Sequence, residues 1–305
     1  MSGLLEEPRS WRGAARTLTA VLLLIVSVAC GGEPQVRQPS LRITALPDSK
    51  TTELDPKYRL VANHLSEVLG VDVEYVPVSD YSASVEAFKN GDVQLAWFGG
   101  VSGVQARTAV PGSRAIAYGT IDPHFRSYFV AHPSAGIEPS EEFPLGLKGK
   151  RFTFGVAAST SGRVMPEHCL REATGQSPEE FFSEVNTNGG KHAIIAKNVE
   201  KGVYEAGVLN YKVYESMVAE GTLDPAKCIK IWQTPPYADY NWTAHPSLEL
   251  RFGAGFTEKL TEALVAIEDP LLLDALQRPD GLIRAKNADF DAIEAICREV
   301  GLIRR

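Results

Sequence analysis

The chain has 305 residues and a formal net charge of −7, from 31 basic and 38 acidic side chains. Basic runs and stripes of alternating aromatic and basic residues are missing from the sequence, which argues against nucleic acid and anionic membrane surfaces as partners. Its six histidines and four cysteines are scattered without the spacing of metal ligands, so neither a metal nor another cofactor is expected.

The first 29 residues have the pattern of an export signal. Three arginines precede an apolar run at residues 18–28, which is shorter than the ~20 residues that a membrane-spanning helix needs. Cys30 directly follows this run and resembles the acylated cysteine of a bacterial lipobox, although Ser27 stands where that motif prefers leucine. We predict a signal peptide at residues 1–29 and a lipid-anchored tether at residues 30–40. The alternative is cleavage after Ala29, which would release a freely soluble periplasmic protein.

The remaining length predicts two domains, because a single hydrophobic core rarely grows beyond ~250 to 300 residues. Three cysteines remain after Cys30, of which Cys169 and Cys228 fall in the same predicted domain. In an exported protein these two could form a disulfide, or they could simply be buried as thiols. The sequence leaves both alternatives open.

Strand and helix patterns alternate after the tether. Strand patterns at residues 41–46, 71–78 and 93–98 are separated by helix patterns at residues 56–69 and 82–90. This order predicts a parallel sheet with helices on both faces. Because ligands in such sheets bind outside the carboxyl ends of the strands, the turn at Gly99 and Gly100 is expected to face a cleft.

A second α/β set follows a polar link at residues 133–149. The double proline after Thr234 marks a crossing back, and three helical patterns in the tail are expected to pack on the first set. We therefore predict a first lobe of residues 41–131 and 236–305 and a second lobe of residues 132–235.

The clearest candidate for a binding site is the sequence Ser159-Thr160-Ser161-Gly162, which follows a strand pattern and opens a helix pattern. The first turn of a helix has N–H groups without partners and a partial positive charge, and the hydroxyls add further donors. This combination is typical of an oxyanion site. The alternative is that one serine merely caps the helix. Pro166 indicates that the α-helix starts later or is kinked.

Six short motifs, in order along the chain, resemble the periplasmic solute-binding proteins of ABC transporters for phosphonate, phosphite and related oxyanions, including the selenate-binding members. They are Asp80-Tyr81, Ala96-Trp97-Phe98-Gly99, Ser127-Tyr128, Ser159-Thr160-Ser161-Gly162, Gly190-Lys191-His192-Ala193 and Ile231-Trp232-Gln233-Thr234-Pro235.

The resemblance implies a type II periplasmic binding protein fold, with two α/β lobes joined by two crossing strands and a ligand held between them. It also implies a monomeric, exported protein that binds a small oxyanion without chemistry and delivers it to the permease and ATPase of an importer. Only the lipid anchor would contact the membrane. The implied ligand-binding residues are Tyr81, Tyr128, Ser159, Thr160, Ser161, His192 and Asp239.

Two positions bear on the ligand within this family. Phosphonate binders that hold an aminoalkyl tail place an acid where this chain has Lys212, which would repel an ammonium group and attract an oxyanion. A buried Asp239 beside an anion is costly unless the two share a proton. The sequence thus favours a protonated, phosphite-like species over fully ionised selenate.

Two other functions remain as alternatives at the level of sequence. An exported hydrolase of phosphate esters could use Ser159 or Ser161, but the chain lacks a G-x-S-x-G elbow, an H-E-x-x-H motif and clustered carboxylates with metal spacing. A sensor module is the other alternative, because the same fold serves signalling receptors.

Overall fold

The computed structural model describes residues 39–48, 51–187 and 190–303. The predicted signal peptide, Cys30 and residues 31–38 of the tether lie outside these ranges. None of the helices in the described ranges is both long and apolar enough to cross a bilayer.

Eleven strands and eleven α-helices form within the described residues. The strands are β1 Leu41–Ala45, β2 Val73–Tyr75, β3 Leu95–Phe98, β4 Arg114–Gly119, β5 Ser127–Ala131, β6 Arg151–Thr153, β7 Glu184–Asn186, β8 Ala206–Asn210, β9 Ile229–Gln233, β10 Asn241–Ala244 and β11 Leu282–Arg284. The helices are α1 Thr51–Leu69, α2 Tyr81–Lys89, α3 Gly100–Ala109, α4 Met165–Thr174, α5 Pro178–Phe181, α6 His192–Glu200, α7 Tyr211–Ala219, α8 Ser247–Phe252, α9 Phe256–Val265, α10 Pro270–Ala275 and α11 Asp291–Glu299.

The strands form two sheets, each the centre of one lobe. The first has the order β11-β4-β10-β3-β1-β2 and the second the order β7-β6-β8-β5-β9. The first sheet is mixed rather than parallel throughout, because β10 returns from the second lobe and runs antiparallel to both β3 and β4. The predicted fold class, a two-lobed α/β protein, is confirmed.

The apolar face of α1 shows why these segments fold as they do. Leu54, Tyr58, Val61, Leu65 and Leu69 recur at three- and four-residue intervals and are all buried against the first sheet. Gly70 ends the helix in the left-handed conformation, with φ at 71°, which glycine adopts without strain. The tail helices α8, α9, α10 and α11 also contribute buried side chains to this core.

The crossing between the lobes differs from the expected boundary after residue 131. Strand β5 lies inside the second sheet, hydrogen-bonded to β8 on one side and β9 on the other. The crossing segments are instead residues 120–126 and 234–240, which pair through Phe125 and Tyr237. All five residues of β5 are buried, as expected for a strand inside a sheet that is covered on both faces.

The three described cysteines, Cys169, Cys228 and Cys297, are free and buried. Burial raises the pKa of the Cys169 and Cys228 thiols to about 12, so both are uncharged at neutral pH. Of the two alternatives that the sequence left open, the structure shows burial without a disulfide.

Candidate functional site

The first lobe contributes the turn that follows β3. Gly100 donates its backbone N–H to Asp239 Oδ1 at 2.8 Å, and Val101 donates to the Thr160 hydroxyl oxygen at 3.1 Å. A Cβ atom at Gly100 would lie 2.9 Å from the carbonyl oxygen of Ala238, closer than real Cβ atoms approach. The start of α3 thus requires glycine. Through these two hydrogen bonds, the start of α3 in the first lobe contacts both the second lobe and the second crossing segment.

The second lobe contributes the Ser159-Thr160-Ser161-Gly162 step. Ser159 is the N-cap, and its hydroxyl oxygen accepts from Gly162 N–H at 3.0 Å. The turn at Thr160–Val164 is π-helical, and the α-helix begins only at Met165, with Pro166 in its first turn. The later start that Pro166 indicated is therefore observed. A π-helical turn widens the backbone ring and is common at functional sites.

Ser161 is fixed through its backbone. Its carbonyl oxygen accepts from Ser127 Oγ at 2.8 Å, and Ser127 Oγ lies 2.6 Å from the hydroxyl of Tyr237. These contacts join the helix start to β5 and to the second crossing segment. The Ser161 side chain itself is buried.

Tyr81 reaches the same place from the first residue of α2. Asp80 caps that helix by accepting from Ala83 N–H at 2.8 Å. Burial raises the pKa of Tyr81 well above its ordinary value, and the nearby carboxylates of Asp48 and Asp239 raise it further, whereas a hydrogen bond with Ser159 lowers it. The hydroxyl is therefore a neutral donor.

Asp239 carries the most unusual electrostatics of the site. Burial raises the pKa of its carboxyl to about 7, despite hydrogen bonds from Gly100 N–H and the Thr160 hydroxyl that favour the charged form. The group can therefore gain or lose a proton near neutral pH.

His192 lies at the start of α6 and is buried. Its Nδ1 accepts from the N–H of Asn210 at 3.3 Å, so the proton of the neutral ring is assigned to Nε2. Burial lowers the pKa of His192 to about 4. A Cβ on Gly162 would lie 3.1 Å from the imidazole Cε1, so the ring packs directly on the Ser159-Gly162 step.

We expect His192 to act as a neutral donor, because a pKa of about 4 leaves it uncharged from pH 6 to 8. His192→Ala should raise the Kd for the oxyanion about 5- to 150-fold through loss of one buried hydrogen bond. His192→Gln, which keeps an N–H near the position of Nε2, should lose less. Calorimetric titration should find the same ratio of variant to wild-type Kd throughout pH 6 to 8. A ratio that shrinks steadily as pH rises would indicate an imidazolium instead.

Tyr128 lies apart from this group. Its hydroxyl donates to Glu215 Oε1 at 2.8 Å, and Lys230 Nζ stands 4.0 Å from the centre of its ring. Adjacent residues of a strand point to opposite faces, and Ser127 is the neighbour that contacts the Ser159-Gly162 step. The structure thus brings together six of the seven predicted residues, Tyr81, Ser159, Thr160, Ser161, His192 and Asp239.

Sequence reasoning placed the turn at Gly100 beside a cleft but did not nominate Ser127, Tyr237 or Asn210 as site residues. Period-two alternation along β5 could have indicated Ser127, because only one of two adjacent residues can face the helix start. The site as a whole is a buried set of hydroxyl, imidazole and backbone N–H donors, with one titratable carboxyl, held between two lobes. Fold and site together define a solute-binding protein.

Comparison with known proteins agrees with this assignment to the solute-binding proteins. The sequence profile of a family described as "ABC transporter, phosphonate, periplasmic substrate-binding protein" matches residues 43–290. The chain belongs to this family. It is therefore an exported, non-enzymatic substrate-binding component of an ABC transporter of the phosphonate type, and it works with permease and ATPase components.

Two curated relatives and one solved structure illustrate the similarity. The probable ABC transporter phosphite binding protein PhnD1 of Prochlorococcus marinus is 34% identical, covering 94% of this chain and 97% of the relative. The phosphate-import protein PhnD of Mycolicibacterium smegmatis is 25% identical, covering 93% and 95%. A structure of P. marinus PhnD1 with methylphosphonate is 35% identical and has a TM-score of 0.80, covering 87% of this chain and 99% of that one.

Proposed function

We propose that this protein captures a small phosphorus oxyanion, phosphite or a phosphonate with a short substituent, that shares a proton with Asp239. The observation that carries the proposal is the buried carboxyl of Asp239, whose pKa lies at about 7, next to the donors of the Ser159-Gly162 step. Phosphite and phosphonates exchange a proton near neutral pH, so either they or Asp239 can carry it. The ligands printed for the relatives, phosphite, phosphate and methylphosphonate, support this class.

Selenate and sulfate fit the same donors less well. They have no proton to offer at neutral pH, so a charged Asp239 would face them with uncompensated repulsion in a buried site. We therefore propose that the protein binds selenate more weakly than phosphite and methylphosphonate. Lys212 supports a ligand without an ammonium tail, because its side chain lines a cavity beside the site.

A ligand panel tests this proposal directly. Phosphite and methylphosphonate should each raise the melting temperature at pH 8, since a ligand that binds only the folded state stabilises it, whereas selenate and sulfate at the same concentration should raise it less. Ser161→Ala should raise the Kd for phosphite about 5- to 150-fold. Ser82→Ala, an exposed serine on α2, is the matched control and should bind as wild type. A larger shift with selenate than with phosphite would overturn the proposed ligand class.

We also propose that the mature protein is a monomer anchored to the outer face of the cytoplasmic membrane through acylated Cys30. The lipobox-like sequence supports the anchor. A binding site that is built from both lobes of one chain supports the monomer.

Tyr128 remains proposed as a ligand-binding residue. Its hydroxyl would have to leave Glu215 to reach the anion.

Cys30→Ala should abolish anchoring, because one acyl-bearing residue supplies the entire predicted attachment. Wild-type protein should partition into the detergent phase of a Triton X-114 extraction, and the variant should either appear in the aqueous phase or remain unprocessed. Cys297→Ala, in the first-lobe core, is a control that should leave partitioning unchanged. Aqueous partitioning of the wild type would favour simple cleavage after Ala29.

A further inference from the structure

An arginine is buried beside the oxyanion site in a box of aromatic rings. Arg278 is only 4% exposed, and its guanidinium carbon lies 5.1 Å from the ring centre of Trp97 and 5.0 Å from that of Tyr240. Its Nε and Nη2 each donate to a different oxygen of the fully buried Asp122 at 2.7 Å. The ion pair and the two rings hold the charged group in one place.

The backbone around Arg278 is shaped to place it there. Gln277 is the non-glycine residue with a positive φ, 55°, in the described part of the chain. Its carbonyl oxygen accepts from Arg278 Nη1 at 3.0 Å. A Cβ at Gly119 would lie 2.2 Å from Arg278 Cδ, so the side chain passes directly over a glycine. The left-handed residue that ends α10 and the glycine at the end of β4 together fix the path of the Arg278 side chain.

This box adjoins the oxyanion site through three connections. Trp97 lies at the end of β3, just before the turn that contacts Asp239. Tyr240 follows Asp239, whose own N–H donates to the Asp122 carbonyl at 3.1 Å. Asn210 bonds His192 with its backbone and donates from its side chain to the Tyr240 hydroxyl at 3.3 Å.

A small cavity remains on this side of the site. Its volume is about 50 Å³, and Trp97, Asn210, Lys212, Tyr240 and Arg278 are among its lining residues. The other charged groups that line it are Asp48, Glu53 and Lys57.

We propose that Arg278 sets the size limit for the ligand, by filling the aromatic box that the substituent of a larger phosphonate would need. This inference rests on the proposed function, because it concerns the group attached to phosphorus on the bound oxyanion. Hydrogen, hydroxyl and methyl substituents fit without entering the box. A propyl or aminoethyl chain would have to displace a guanidinium that is already stacked on two rings and paired with Asp122.

Arg278→Ala tests the inference by emptying the box. Wild-type protein should bind phosphite and methylphosphonate and should bind propylphosphonate and 2-aminoethylphosphonate much more weakly. In the variant, calorimetric titration should give a Kd lower by about tenfold or more for both larger ligands, with the phosphite Kd changed less than about threefold. The affinity for 2-aminoethylphosphonate should rise most, because its ammonium group can pair with Asp122, which has lost Arg278 as its partner.

Arg278→Lys keeps the proposal testable if the alanine variant does not fold. A lysine retains a cation for Asp122 but has a smaller head group, so propylphosphonate should bind more tightly than to wild type while 2-aminoethylphosphonate remains rejected. Arg107→Ala is the matched control. Arg107 lies 4.7 Å from the ring of Phe290 and does not line the cavity, so its loss should not change the preference among ligands.

The outcomes separate the two proposals. Wild-type protein that binds neither phosphite nor methylphosphonate would refute the proposed function. Wild-type protein that binds propylphosphonate as tightly as methylphosphonate would refute the role of Arg278 and leave the oxyanion site standing. Folded Arg278→Ala and Arg278→Lys variants with wild-type ligand preferences would refute it as well.

Discussion

Asp239→Asn should let the protein bind selenate at alkaline pH. We expect selenate to bind the wild type only while Asp239 is protonated, so its affinity should fall about tenfold per pH unit above the pKa of about 7. Asparagine cannot ionise and always offers an N–H, so the variant should bind selenate equally at pH 6 and pH 8.5. The gain over wild type at pH 8.5 should be about 30-fold, measured by calorimetric titration.

Asp48→Asn is the matched control for this experiment. It removes a partly buried carboxyl of the first lobe, one that accepts from the Tyr240 hydroxyl at 2.7 Å and whose pKa is also raised by desolvation. In the Asp48→Asn variant, selenate affinity should depend on pH as it does in the wild type. A wild-type selenate affinity that does not change between pH 6 and 8.5 would contradict the proposed proton sharing.

Asp122→Asn should be among the most destabilising substitutions in the chain. It leaves the guanidinium of Arg278 buried without a counter-charge, which costs about 3–5 kcal/mol of unfolding free energy. The pKa of Arg278 reflects this dependence: burial opposes its charge, and the Asp122 carboxylate more than offsets that effect and keeps the pKa above its ordinary value. Urea unfolding followed by circular dichroism measures the change.

Two further variants test the cause of that loss. The double variant Asp122→Leu with Arg278→Met should lose less than Asp122→Asn alone, because no buried charge remains. Glu258→Gln breaks the exposed pair with Arg284, in which both side chains are more than half exposed, and should leave the unfolding midpoint nearly unchanged. Equal losses in the Asp122→Asn and Glu258→Gln variants would show that burial of the pair contributes nothing.

The sequence alone predicted those structural elements whose pattern is formed by neighbouring residues. The apolar periodicity of α1, the strands β1 and β3 and the hydroxyl-rich start of the π-helical turn were all predicted from the sequence. The short strands β7, β10 and β11 were not predicted. Strand β10, Asn241–Ala244, alternates polar and apolar residues over only four positions, and all four are buried, so a short-range pattern cannot show that it lies antiparallel between β3 and β4.

The binding site, too, could be predicted only in part from the sequence. The six-motif resemblance identified the family and nominated seven residues, of which the structure gathers six. It nominated Tyr128, but its neighbour Ser127 is the residue that faces the Ser159-Gly162 step, because β5 pairs on both edges and this pairing fixes which side chain points to which face.

By itself, the sequence determined the two-lobed α/β class and predicted an oxyanion site and an export signal, because hydrophobic period, helix-start hydroxyls and charge are properties of neighbouring residues. Only the tertiary structure decided the rest. Asp239 acquires a pKa of about 7, and His192 one of about 4, through burial between the lobes. Arg278 meets Asp122 across 156 positions of chain, and no local pattern encodes a contact that exists only when distant segments pack together.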